Sequence, residues 1–129
     1  CSPSHYREFG APYTQQVFAT FGMGEIHCHS AGPHVVPEFL KLKRVRQVQI
    51  VADPNGTRPV DILESMMDDH PELFGRSPDF PVLSVDATAD EVVDHYDLCR
   101  RARMVFSVVT DEASGSIDAV RMFRSRQLS

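Results

Sequence analysis

The sequence lacks the features that mark several large classes of protein. No stretch approaches the roughly 18 consecutive apolar residues of a membrane-spanning helix, which excludes an integral membrane protein with a helical span. Cysteine occurs only 3 times, too rarely for a disulfide framework, and the odd number favours a reducing compartment. Acidic residues (18) outnumber Lys and Arg (13), which argues against a dedicated nucleic-acid binder. We therefore expect a cytoplasmic protein whose partners include neither membrane nor nucleic acid.

The remaining composition is that of an ordinary globular protein, with 129 residues, 42% of them hydrophobic and 24% charged. The chain starts with Cys1 rather than methionine, and no secretory signal peptide follows. We therefore expect residues 1–129 to form a single partial domain, truncated at its N-terminus.

An alternation of strand and helix patterns runs along the chain. Short apolar runs predict strands at residues 25–29, 45–52, 81–86 and 104–109, the second of them rich in β-branched residues. Apolar residues spaced three and four apart predict helices at residues 12–21, 33–40, 60–70, 88–99 and 117–123. The fourth of these begins with a capping box formed by Thr88 and Glu91, and in the last the apolar positions are Ile117, Val120 and Phe123.

This alternation predicts the α/β class, with a parallel sheet connected by right-handed crossovers. Neither a Gly-x-Gly-x-x-Gly motif nor a Walker-type lysine loop follows any predicted strand. The sequence thus gives no support for a dinucleotide-binding or P-loop protein.

Polar side chains follow each predicted strand. The four strand ends carry, in order, His27-Cys28-His29-Ser30, then Asp53, then Asp86, and last Thr110-Asp111-Glu112. Ligand sites of parallel α/β proteins form outside these carboxyl ends, so the pattern indicates a polar site there. The alternative for Asp53 and Asp86 is that each caps the helix that follows it.

The sharpest local signal is His27-Cys28-His29. Alternate residues of a strand point to the same face, so both imidazoles can reach one metal ion while Cys28 faces the other way. A pair without metal, or donors to a bound carboxylate, is equally compatible with the spacing. We expect Cys28 and Cys99 to be buried apolar residues rather than nucleophiles.

Three segments resemble the uroporphyrinogen decarboxylase superfamily. Ser2-Pro3 with residues 6–13 resembles its "SP…F…F-x-x-P-Y" helix entry, Ile26–Ser30 its "I-H-x-C-G" strand, and His34–Pro37 its "H-L-L-P" segment. The closest likeness is to the methyltransferase-like and uncharacterised members. The resemblance implies that the four βα units form the C-terminal half of a TIM-type (β/α)8 barrel.

The resemblance also implies an activity, either corrinoid-linked methyl transfer or decarboxylation of a small-molecule substrate. In the methyltransferases a His/Cys pair and a later cysteine bind zinc, and a corrinoid on a partner protein carries the methyl group. Here His29 replaces the first cysteine and Asp111 is the nearest ligand after the last strand, so the expected zinc ligands are His27, His29 and Asp111. The expected catalytic residues are His27, Asp53 and Asp86. The late Asn- and His-containing motif of the true decarboxylases is absent.

Two alternatives remain. Glu25–Ser30 also resembles the "D-x-H-x-H-S" opening of polymerase-and-histidinol-phosphatase hydrolases and the "H-x-H" strand of amidohydrolases, which are metal-dependent. Those enzymes draw further histidines from later strand ends, whereas the remaining histidines here lie elsewhere: His5, His34, His70 and His95. The second alternative is a non-catalytic relative that binds a small molecule at the same strand ends.

Overall fold

The computed structural model describes residues 1–108 together with 118, 120, 121, 124 and 125. Its sheet has four strands, β1 (Gly24–His29), β2 (Val45–Val51), β3 (Val82–Ala87) and β4 (Arg103–Val108). All pairings are parallel, and the order β1-β2-β3-β4 places each strand beside its neighbour in sequence. The α/β class is thereby confirmed, and each predicted strand is correct to within one residue at either end.

Helices alternate with these strands. The described helices are α1 (Pro3–His5), a π-helical turn (Tyr6–Gly10), α2 (Ala11–Phe21), a 3₁₀ turn (Pro33–Val35), α3 (Val36–Leu40), α4 (Pro59–Asp69), a 3₁₀ turn (Pro71–Leu73), α5 (Ala89–Asp94) and α6 (Leu98–Arg101). Pro37 and Pro59 stand in the first turns of α3 and α4, where the missing N–H has no helical partner to lose. Within the described ranges, no helix combines the length and apolar character required to cross a bilayer.

The helix predicted for residues 88–99 is wrong in its second half. The capping box of Thr88 and Glu91 forms as predicted, but α5 ends at Asp94 and a separate α6 begins at Leu98. A continuous helix would turn Leu98 well away from the buried face of Val92. The interruption lets both side chains reach the core, where Leu98 is 2% and Val92 4% exposed, so burial of Leu98 outweighs continuity of the helix.

The core lies between the helices and one face of the sheet. Strand residues that share this face, such as Val48, Ile50 and Leu83, pack with Leu63 and Met67 of α4. Cys28 of β1 also packs against this cluster. The helical layer therefore fixes which face of each strand is left for a site.

The opposite face of the sheet carries mainly polar residues, and we call it the polar face. Its middle row runs across all four strands through His27, Gln49, Ser84 and Val105. At the carboxyl edge His29 pairs with Val51, and Asp86 of β3 pairs with Ser107. The predicted site residues of β1 and β3 therefore share one face of one sheet.

Part of the fourth predicted unit lies outside the described residues. This applies to Thr110, Asp111 and Glu112 after β4, and to Ile117 and Phe123 of the last predicted helix.

Candidate metal centre

His27 and His29 meet at the exposed end of β1. Their Nε2 atoms are 3.3 Å apart, and their rings stand nearly perpendicular, at 78°. The strand alternation that predicted a shared face is thus confirmed. Both side chains are exposed, with that of His29 at 58%.

The other ring nitrogen of each histidine faces a fixed acceptor. His27 Nδ1 lies 2.9 Å from Gln49 Oε1, and His29 Nδ1 lies 2.9 Å from Asp53 Oδ1. Each neutral imidazole that donates through Nδ1 keeps an unprotonated Nε2. If both rings do so, their lone pairs face each other, which a shared cation would relieve. If one ring takes the other tautomer, the two Nε2 atoms form a hydrogen bond instead.

The histidine pair could supply two ligands of a zinc ion, and no third His, Cys, Asp or Glu among the described residues completes the set. Zinc–nitrogen bonds of about 2.0–2.1 Å in a tetrahedral site place two ligand nitrogens about 3.3 Å apart. That separation equals the distance between His27 Nε2 and His29 Nε2. Acceptors behind both imidazoles are the usual support of metal-binding histidines, since they fix the tautomer and the ring orientation.

Asp53 connects the ends of β1 and β2. Its Oδ2 accepts a hydrogen bond from the amide of Ala31 at 2.8 Å, while Ser30 Oγ accepts one from the amide of Asp53 at 2.9 Å. The Ala31 amide, together with the hydrogen bond from His29, holds the pKa of Asp53 below its ordinary value. The carboxylate therefore stays charged against His29 at neutral pH.

Asp86 repeats this arrangement one strand further along. Its Oδ2 accepts a hydrogen bond from the amide of Ala52, directly after β2, at 3.0 Å. Neither Asp53 nor Asp86 is the N-cap of the next helix, because Arg58 and Thr88 hold those positions. The capping alternative is therefore wrong for both aspartates, which instead bind the backbone of the preceding strand's end.

The remaining predicted residues lie elsewhere. Asp111, the expected third zinc ligand, lies outside the described residues. Cys28 faces the core, where burial raises the pKa of its thiol to about 11. Burial also raises the pKa of Cys99. Both cysteines are thus protonated at neutral pH, in agreement with the expectation that they are not nucleophiles.

A cavity of about 530 Å³ adjoins this edge, between the loops that follow β1 and β2. Ser30, Asp53 and Asn55 are among the residues that line it. Gly56 closes the second loop against Ser30, and a Cβ at this position would collide with Ser30 Oγ. Space for a small molecule therefore exists beside Asp53, which contacts His29, although neither histidine lines it.

Sequence reasoning missed Gln49. It pairs with His27 across β1 and β2, and its side chain holds the imidazole. The one available signal was a polar residue among the apolar residues of β2, and Arg46 and Gln47 share that character. The strand register that places Gln49 opposite His27 is not readable from the sequence.

A second group of metal-ligating residues was also missed. Ligand-type atoms of Asp61, Glu64 and His95 lie within 4.8 Å of one another. Arg58, however, donates to both carboxylate oxygens of Asp61 at 2.7 and 2.9 Å and to Glu91 at 3.2 Å. The guanidinium of Arg58 thus already binds the carboxylate of Asp61. The cluster of Asp61, Glu64 and His95 connects α4 to the end of α5.

Comparison of the chain with protein-family models, with curated proteins and with solved structures finds no match in any of the three.

Proposed function

We propose that this chain is part of a cytoplasmic, zinc-dependent methyltransferase, similar to the methyltransferase-like members of the uroporphyrinogen decarboxylase superfamily. The observation that carries the proposal is the 3.3 Å separation of His27 Nε2 and His29 Nε2, with an acceptor behind each ring. The sequential parallel sheet is compatible with half of a (β/α)8 barrel, whose active site lies at the carboxyl ends of the strands.

Each residue has a distinct role in this proposal. His27 and His29 are the zinc ligands, and Asp111 is the proposed third ligand. Gln49 and Asp53 orient the two imidazoles. Zinc at this site would act as a Lewis acid that lowers the pKa of a bound thiol or water. A thiol acceptor and a methyl-corrinoid on a partner protein complete the proposed reaction.

A hydrolase is the second candidate, and the donor set favours it. The described ligands are nitrogen, and the nearby thiol of Cys28 faces the core in its protonated form. Nitrogen and oxygen ligands suit a metal that activates water, whereas cysteine ligands favour thiolate chemistry. One metal per chain together with thiol binding would support the methyltransferase, and two metals per chain would support the hydrolase. A decarboxylase of this superfamily would need none.

The zinc content of the purified protein tests the metal centre. We expect one zinc per chain by elemental analysis, and its loss in His27→Ala and His29→Ala. His29→Cys should retain zinc, since thiolate is itself a strong zinc ligand. His5→Ala removes an exposed imidazole of α1 that is outside the proposed ligand set, and it serves as the matched control.

The folding of each variant is checked by circular dichroism, because a misfolded variant would lose zinc for an unrelated reason. A wild-type protein without zinc after incubation and dialysis would overturn the metal centre. So would loss of zinc in His5→Ala to the same degree as in His29→Ala.

A further inference from the structure

The position of Asp86 relative to the histidine pair restricts what the proposed enzyme can bind. Ile50 pairs with Val85, so the next residues, Val51 and Asp86, continue the row that starts at His29. Adjacent strands are about 4.8 Å apart, so the backbones of His29 and Asp86 lie about 9.6 Å apart. A small molecule can span this separation.

Asp86 offers an unsatisfied acceptor. Its Oδ2 is bound by the amide of Ala52, whereas no hydrogen bond or ion pair from the described residues engages Oδ1. A carboxylate oxygen has capacity for further donors, and its charge favours a cationic one.

Between the two ends of this row lies Val51, a half-buried apolar side chain. Methylene groups suit this position better than polar groups, because Val51 offers no hydrogen bond. The row therefore presents a metal-binding end at the histidines, an apolar middle and an anionic end at Asp86.

Apart from the proposed metal, the described loops around this row supply no free cationic side chain. In the loops that follow β1, β2 and β3, all of which are described, Arg58 is the only Lys or Arg. Its guanidinium is held by Asp61 and Glu91. A substrate with several carboxylates would find no free cationic side chain among these residues.

We propose that the substrate of this site is a short aminothiol or similar amine, whose amino group binds Asp86 while its thiol binds the metal. This inference rests on the proposed metal centre. The metal would lie at the imidazole tips and the acceptor is a carboxylate oxygen, so the gap between them is only of the order of the backbone separation. A metal–sulfur bond of about 2.3 Å and a charged hydrogen bond of about 2.8 Å take up roughly half of it and leave a few ångströms. Two or three carbon atoms between sulfur and nitrogen cover that distance.

The test uses the protein loaded with cobalt(II), a spectroscopic substitute for zinc whose absorption reports thiolate binding. The probes are 2-aminoethanethiol, ethanethiol and 3-mercaptopropionate. The variant is Asp86→Asn, whose amide oxygen still accepts from Ala52. Thiols differ in their own pKa, so the readout is the change in dissociation constant from wild type to variant for each probe.

We expect Asp86→Asn to weaken binding of 2-aminoethanethiol by on the order of 10-fold, the usual effect of one hydrogen bond to a charged group. Ethanethiol binding and cobalt stoichiometry should remain at wild-type values, and 3-mercaptopropionate should bind no more weakly. Asp90→Asn, which removes an exposed carboxylate from α5, should change nothing.

Equal effects of Asp86→Asn on 2-aminoethanethiol and ethanethiol would overturn the amine proposal and leave the metal centre standing. Failure of the wild-type protein to bind cobalt would overturn the metal centre, and the amine proposal with it.

Discussion

Asp53 performs two tasks with its two carboxylate oxygens. Oδ1 faces His29 Nδ1, and Oδ2 holds the amide of Ala31. Asparagine has only one acceptor oxygen. If this oxygen holds the Ala31 amide, the N–H of asparagine faces His29 Nδ1 and selects the tautomer that carries its proton on Nε2, which cannot bind a metal.

We therefore expect Asp53→Asn to weaken zinc binding by about 10- to 100-fold, the usual effect of losing an outer partner of a metal ligand. Competition with a chromophoric chelator measures this affinity. Asp79→Asn, at an exposed position before β3, is the control. Unchanged zinc affinity in Asp53→Asn would show that Asp53 does not support the metal centre.

At the scale of residues, the sequence was sufficient for the histidine pair and insufficient for its partners. Side-chain alternation is a local property, so the shared face of His27 and His29 follows from the strand alone. The contacts of Gln49 with His27, and of Asp86 with Ala52, depend on strand register and on loop conformation. Those properties arise from packing across the sheet.

Among the elements, α3 holds the N-terminal segment in place. Arg7 donates to both oxygens of Glu38 at 3.0 and 2.7 Å, and Lys41 donates to Oε1 at 3.1 Å. The hydrogen bond from Arg7, with further help from Lys41, lowers the pKa of Glu38 from 4.5 to about 2. Glu38 is 6% exposed, so its charge requires these partners.

This arrangement predicts a pH-dependent stability. The folded-state pKa of Glu38 lies below its unfolded value, so its contribution is fully present above about pH 4.5 and is lost as the pH falls towards 2. Glu38→Gln should lower the free energy of unfolding at pH 7 by about 1 kcal/mol, because solvent around Arg7 screens the pair. The difference in the free energy of unfolding between wild type and Glu38→Gln should become smaller as the pH falls from about 4.5 towards 2.

Urea denaturation from pH 2 to 7 measures this dependence. Glu8→Gln changes an exposed carboxylate of the same N-terminal segment and should leave the curve near that of the wild type. A constant difference between Glu38→Gln and wild type at all pH values would contradict the assignment.

The ends of helices and strands were predictable where neighbouring residues in the sequence determine them. The strands follow from short apolar runs, and α5 begins at its capping box. The break after Asp94 was not predictable, because it depends on where Leu98 finds space in the core. The spacing of apolar residues predicts a helix over residues 88–99, whereas the burial of Leu98 in the core ends α5 at Asp94.

For the molecule as a whole, one flank of α2 is an open apolar surface. Tyr13, Val17 and Phe21 are 72%, 53% and 78% exposed. Gln15 exchanges hydrogen bonds with the backbone of Lys43, ahead of β2. Tyr13 and Val17 each lie two residues from Gln15, on the opposite side of the helix. The apolar flank therefore faces away from β2, towards the side of β1 that has no partner strand among the described residues.

An unpaired strand edge beside exposed aromatic residues promotes association. We expect the isolated chain to self-associate as its concentration rises, and the double variant Val17→Glu, Phe21→Glu to do so less. Sedimentation equilibrium measures this directly, with Gln16→Glu on the same helix as the control for added charge. A wild-type protein that stays monomeric at high concentration would contradict the prediction.

The order of the strands also bears on how the chain folds. Among the described strands, each pairs with its neighbour in sequence. Each pairing closes a crossover of 15 to 30 residues, because parallel strands cannot be joined by a tight turn. During synthesis, β2 can dock on β1 as soon as it emerges, and β3 then extends the same ladder. We therefore expect the sheet to grow in the direction of translation, one strand at a time.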